Sequence, residues 1–328
     1  MSVYSPTGSS NQRIDQVLTN ISIGWSNEGM IGERLFPVVV VRKQSDKYYT
    51  FGREAWLPEA GDYRGPGTEA NEIPGLQVSL DTYYAQEHSL QIAVTDEERE
   101  NTDAPFAPDR DGAELVTSKI LLGREKAMHD MVTDATKYAT SMTTTLSGTA
   151  QWSDYTNSNP IADIKAARYA MHALTFIEPN TIVIPYQVMA VLEDHPDFMA
   201  RIQYTDRAIL TPELIGAVIG FSNIIVPGMG VASDASLVPG YLWGKDVIIA
   251  WVPPRAGLRT PSFAYEFVWG YGGNTPMVTD RWREEKRKSD IIRTSRRYDL
   301  KLVGTENNSA SPNNGKVVTG YLIKNAVA

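Results

Sequence analysis

The chain predicts an α+β fold, and three stretches carry that prediction: a helix-strand-helix block over 159–204, a run with period two over 78–94, and a long helical pattern over 108–138. In the first, Asn159 is placed to cap a helix that Pro160 opens, because proline lacks only an N–H that the first turn leaves unpaired. Ile161, Ile164, Ala167, Met171 and Leu174 then fall on one stripe at helical spacing. Glu178-Pro179-Asn180 breaks the helix, Thr181 to Ile184 reads as a buried β-branched strand, and a second helix follows through Val188, Val191 and Leu192 to a stop at Asp194-His195-Pro196.

The remaining elements follow in chain order. The first 35 or so residues are polar, with weak periodicity at Ile14, Val17, Leu18 and Ile21, and read as an arm with a short helix. Strands are expected over 36–41 and 47–51. Between them and the period-two run lies 52–75, which holds five glycines, three prolines and five acids together with Trp56 and Tyr63. So long a structureless loop does not belong inside a compact domain, so it reads as an excursion toward a neighbour. From Val78 to Val94 the apolar residues take even positions, the period of a half-buried strand, and a single strand of that length would reach roughly 55 Å. The pattern over 108–138, with Leu115, Leu121, Leu122, Met128, Met131, Val132, Ala135 and Tyr138 mostly along one side, would span about 45 Å as a helix. After a Ser/Thr/Asn-rich connection over 140–158 and the block described above come a helix over 212–219 and strands over 224–226, 247–252 and 263–269. A hairpin of 298–303 with 317–323 closes the chain.

Composition narrows the function. At 328 residues and 42% hydrophobic, the chain can bury a substantial core, and it has no apolar run of membrane-spanning length and no signal-peptide pattern at Met1 to Pro6. The lack of cysteine excludes disulfides, thiolate nucleophiles and thiolate metal sites. The net charge of −8 is uneven: residues 1–150 hold 13 basic and 22 acidic side chains, 81–114 hold ten acids against two bases, and 281–297 hold eight bases against three acids. Each patch alone suits a solvated face, but together they suit complementary surfaces meeting across a subunit boundary.

Catalytic chemistry finds little support. Gly65 to Ala70 imitates a dinucleotide fingerprint, yet no strand precedes it and Pro74 forbids the helix that should follow. Gly228 to Ser233 follows a strand, but Pro239 and Gly240 come too soon for a helix, so it reads as a turn. His88, His129, His172 and His195 form no two-histidine metal motif, and each suits a structural hydrogen bond better than catalysis. Asp96-Glu97-Glu98-Arg99-Glu100 reads as a solvated helix start. The basic run beside Trp282 and Tyr298 could suit nucleic acid, but three interleaved acids and the overall acidity oppose it. No catalytic, cofactor or metal residue is assigned.

In their order, Asn159 to Ile164, Glu178 to Ile184, Leu192 to Pro196, Arg201 to Thr205, Leu242 to Val247, Pro261 to Phe263 and Phe267 to Trp269 resemble the A-domain core of tailed-bacteriophage major capsid proteins, which adopt the Hong Kong 97 fold. The resemblance implies an N-terminal arm over 1–35, a strand and E-loop with a P-domain strand over 36–95 (tip about 52–75), the spine helix region of the P-domain over 96–149, an A-domain over 150–285 and C-terminal P-domain strands over 286–328. It further implies a coat protein forming hexamers and pentamers of an icosahedral head around double-stranded DNA. The shell would be assembled in the host bacterial cytoplasm, with a portal protein, a separate scaffolding protein and room for a decoration protein. Contacts between subunits are expected at Trp56, Tyr63, Arg64, Glu69, Glu97, Glu98, Arg281, Arg283, Arg287 and Arg293. In some members an E-loop lysine cross-links subunits, but this chain has none between Lys47 and Lys119, so no such bond is expected. An encapsulin-type compartment shares the fold, and a soluble carboxylate-dependent enzyme is the alternative from another class.

Overall fold

The computed structural model describes residues 13–14, 29–51, 67, 69, 78–103, 106–202, 211–232, 239–257, 262–270, 275–306 and 313–328. Two sheets organise them. The larger has six strands in the order Arg13–Ile14, Met277–Glu284, Ser289–Leu302, Ala264–Trp269 and Val38–Val41, with Gln86–Thr95 also paired to the 14-residue strand Ser289–Leu302. The smaller has five strands in the order Thr143–Thr145, Gly320–Lys324, Val247–Ala250, Thr181–Val183 and Asn223–Ile225.

The helix Pro160–Thr175 forms where the sequence predicts it, its start fixed by the Asn159 side chain accepting from Ala162 N at 2.9 Å. Such a cap contributes about 1 kcal/mol. Ile161, Ile164, Ala167 and Met171 are buried on the face turned to the core. Helices Tyr186–Glu193, Pro196–Ile202 and Pro212–Ile219 pack beside it, and Gly220 in the left-handed region ends the last of these. Thr181–Val183 is fully buried because its sheet is covered on both faces.

Four expectations are corrected by the structure. The period-two run is two strands, Val78–Tyr84 and Gln86–Thr95, broken at buried Ala85, whose N–H donates to Gln44 O. The first pairs with Ser45–Phe51 and the second with Ser289–Leu302, so one reach is divided between two partners. The long helix ends at Val132 because the chain tightens into a 3₁₀ turn at Ala135–Lys137, capped by Asp134; at 25 residues it is about 38 Å long. Leu115, expected on its apolar side, is half exposed. The connection over 140–158 contributes the strand Thr143–Thr145, parallel to Gly320–Lys324.

The fourth correction has the widest effect on topology. Ser289–Leu302 and Gly320–Lys324 do not form a hairpin; they lie in different sheets. The chain crosses between the sheets at Gly304, where a Cβ would stand 1.6 Å from Thr319 Oγ1 and 2.6 Å from Ser262 O, so only glycine allows the approach. Conversely, Ala264–Trp269 and Met277–Glu284, expected within the 150–285 unit, belong to the six-stranded sheet. The two sheets are interleaved in sequence.

Candidate subunit-contact surface

Both charged patches of the sequence sit on the six-stranded sheet, and they meet within the chain. The hairpin of Met277–Glu284 with Ser289–Leu302 presents Arg281 and Arg283, while Gln86–Thr95 leads into the short helix Asp96–Glu100. Thr95 and Glu98 form a reciprocal capping box that fixes this helix start. Arg283 then donates to both oxygens of Asp96 at 2.6 Å, a bidentate pair. Arg281 Nη2 reaches Asp290 at 2.5 Å and Asp109 at 3.5 Å, and Arg99 bridges the same two carboxylates at 2.9 and 2.5 Å. Arg293 pairs with Asp280 at 2.7 Å and lies over the Trp282 ring. Arg297 pairs with Glu87 and lies over Trp269. Hydrogen bonds from Arg283 hold the Asp96 carboxyl below its usual range. Burial alone would raise that of Asp290, but bonds from Arg281 and Arg99 outweigh it and the net direction is down.

Of the candidate contact residues, Arg281, Arg283 and Arg293 are therefore engaged inside one chain. Arg287 stays largely exposed at the hairpin tip beside Glu284, Glu97 and Glu98 lie at the surface, and Glu69 is exposed. Trp56, Tyr63 and Arg64, with most of 52–75 and of the arm, fall outside the described residues.

Sequence reasoning missed a buried polar knot on the long helix. Glu266, fully buried, accepts from Arg296 Nε and Nη2 at 3.1 and 2.9 Å and from Arg124 Nε at 3.0 Å, with Arg124 Nη2 on its other oxygen. Arg124 also reaches Glu33 at 3.2 Å. The adjacent Glu125 accepts from the backbone N–H groups of Ile31 and Gly32 at 3.0 and 2.9 Å and from Trp243 Nε1 at 3.1 Å. Two consecutive helix residues thus tie together the end of the arm, the six-stranded sheet and the loop before Val247. The signal was present in sequence, since Arg124-Glu125 interrupts the apolar positions Leu121, Leu122 and Met128.

Two of the histidines are held by packing and hydrogen bonds. His195 is buried, with Nδ1 accepting from Asp197 N–H at 3.2 Å and Nε2 3.1 Å from Ser158 Oγ. Because Ser158 Oγ donates to Asp154 O, it accepts from Nε2, and the ring is neutral. Desolvation lowers its pKa accordingly. His88 stacks on Tyr298 at 4.4 Å. Among the described residues no cluster of His, Asp and Glu is arranged to hold a metal, and no helix is long and apolar enough to cross a membrane. Gly228 to Ala232 opens a two-stranded ladder with Pro239–Tyr241 rather than a helix.

A long helix packed across one sheet, a second sheet with its own helices, and an arm tied to that helix define a shell-protein fold of the Hong Kong 97 type. A phage-related protein from Bordetella bronchiseptica superimposes with a TM-score of 0.73 at 24% identity, over 95% of this chain and 97% of that one. The mature capsid of bacteriophage PhiM1 does so with a TM-score of 0.55 at 12% identity, over 99% and 91%. No protein-family profile matches the chain. The major capsid protein of Burkholderia phage BcepMu is 30% identical over 294 residues, 85% of this chain and 92% of that protein. The chain belongs to the family of phage major capsid proteins. It is a structural protein of the virion rather than an enzyme, and it assembles into oligomeric shells.

Proposed function

We propose that the chain forms hexamers and pentamers that close into an icosahedral head around double-stranded DNA, with a portal protein and a separate scaffolding protein as assembly partners in the bacterial cytoplasm. The observation that carries this reading is the relationship to a major capsid protein over most of both chains. In this reading the five-stranded sheet and its helices form the A-domain, and the six-stranded sheet with the long helix forms the P-domain. The segment 52–75 reaches over a neighbour, where Trp56 and Tyr63 would bury aromatic area between subunits. Glu69, Glu97, Glu98, Arg64 and Arg287 supply polar contacts at that boundary.

DNA is enclosed without sequence-specific contacts. Phosphate neutralisation dominates protein–DNA affinity, and the chain's main basic run spends Arg281, Arg283, Arg293, Arg296 and Arg297 on its own carboxylates. Size-exclusion chromatography and negative-stain imaging of the purified chain, alone and co-expressed with the neighbouring head-assembly proteins, test the assembly. Shell-like particles or capsomers of six and five subunits are expected. A chain that stays monomeric under every condition would sink the reading.

A further inference from the structure

Between the start of the long helix and the strand Gln86–Thr95 lies an open groove of about 690 Å³. Its floor is apolar, built from Ile92 and Val94 under Gly112, which brings the helix close: a Cβ there would meet Ile92 at 3.2 Å. Its walls are Phe106 and Leu115, which are 70% and 50% exposed in the chain. Its rim carries Glu98, Asp103 and Asp111. Side chains of this size left so open over an apolar floor mark a surface that another molecule covers.

Charge decides which molecule. Among the described residues no ion pair neutralises Glu97, Glu98, Glu100, Asp103 or Asp111, while the neighbouring Asp96, Asp109 and Asp290 are all taken by arginines. The occupant must therefore be apolar along one face and basic beside it. The arm, the 52–75 segment and the basic hairpin tip do not meet that description. The excursion over 52–75 holds five acids against two arginines, and 1–28 holds Asp15 and Glu28 against Arg13. The exposed tip Lys286-Arg287-Lys288 is basic but has no apolar residue.

We propose that this groove is the docking site for a basic amphipathic helix of a different protein. The helix would lay apolar anchors at i, i+3 or i+4 and i+7 against Phe106, Leu115 and the floor. The distance along the long helix from Pro108 to Leu115 is about 10 Å, two turns, which is the length that set of anchors covers. Lysines or arginines flanking the stripe would meet Asp103 and Asp111. The groove then selects against the shell protein's own acidic loops and in favour of a basic partner.

The probe is a fluorescein-labelled synthetic helix of about 16 residues with leucine anchors and lysine elsewhere, beside a twin in which glutamate replaces every lysine. Binding to the full chain is followed by fluorescence anisotropy. The lysine peptide should bind at least about 10-fold more tightly than its twin. F106N/L115N, two exposed changes, should weaken it by about 10-fold or more with the circular dichroism spectrum unchanged. D103K should weaken it as well and flatten its salt dependence. The same peptide pair is titrated against E285K, a charge change at the exposed hairpin tip, which should leave affinity unaltered. Equal binding of the two peptides, no binding of either, or unchanged affinity in F106N/L115N would each overturn the proposal.

Discussion

Replacing Glu266 with glutamine preserves side-chain volume while removing one negative charge from a site with no solvent exposure. Four guanidinium N–H groups converge on that carboxylate. Arg124 would keep Glu33 at 3.2 Å, but Arg296 would lose its ion-pair partner while remaining only 5% exposed at its side chain. At hydrogen-bond distance and an effective dielectric of about 20, each pair is worth about 4 kcal/mol before desolvation. Breaking buried pairs from one side costs about 3–5 kcal/mol in practice, because a charge is left behind. The expected loss for E266Q is therefore about 3–5 kcal/mol, or a fall in Tm of roughly 4–7 °C for a chain of this size. Urea denaturation of unassembled protein with both near-ultraviolet dichroism and tryptophan emission measures it. The apolar replacement E266L/R124L/R296M should cost less than E266Q alone, since no arginine is left buried without its carboxylate. A loss under about 1 kcal/mol for E266Q, or a triple variant worse than the single, would refute the reasoning.

Four further outcomes are expected. G304A should abolish soluble expression or cost about 3 kcal/mol or more, because its Cβ would meet the backbone carbonyl of Ser262 as well as Thr319; a thermal shift under 2 °C in differential scanning would count against this. The His195 pKa lies below the ordinary 6.5, so its contribution is complete above that pH and is lost as pH falls through the lower folded value; H195N should flatten the dependence of Tm on pH below 6.5. Asp290, with its pKa held below 3.8, contributes above that pH and loses its contribution on further acidification, so D290N should reduce the slope of an acid-unfolding curve in that window. Shells boiled in SDS should run as single subunits rather than covalent ladders, since 48–118 contains no lysine to supply an amine.

Local chemistry was legible and long-range pairing was not. The cap at Asn159, the strand Thr181–Val183 and the helix Pro212–Ile219 follow from residues within a few positions of one another. The false C-terminal hairpin came from the same kind of reading: two strand-like runs flanking a turn-rich segment fit a hairpin, and nothing local reports that Gly304 passes the chain to another sheet. The opposite patches were visible as composition, but Asp96 and Arg283 are 187 positions apart, so whether they meet in one chain or between two could not be read from spacing. Glu266 was invisible because its strand is otherwise buried and apolar, and a carboxylate there makes sense only beside Arg124 and Arg296.

The strand Gly320–Lys324 lies between Thr143–Thr145 and Val247–Ala250, so the edge strand Thr143–Thr145 has no partner in the five-stranded sheet until the chain has been extended to Lys324. At about 5–20 residues per second a ribosome adds the stretch from Thr145 to Lys324 in roughly 9–36 seconds. Until then Thr143–Thr145 has no strand to join, whereas Val247–Ala250, Thr181–Val183 and Asn223–Ile225 already have one another.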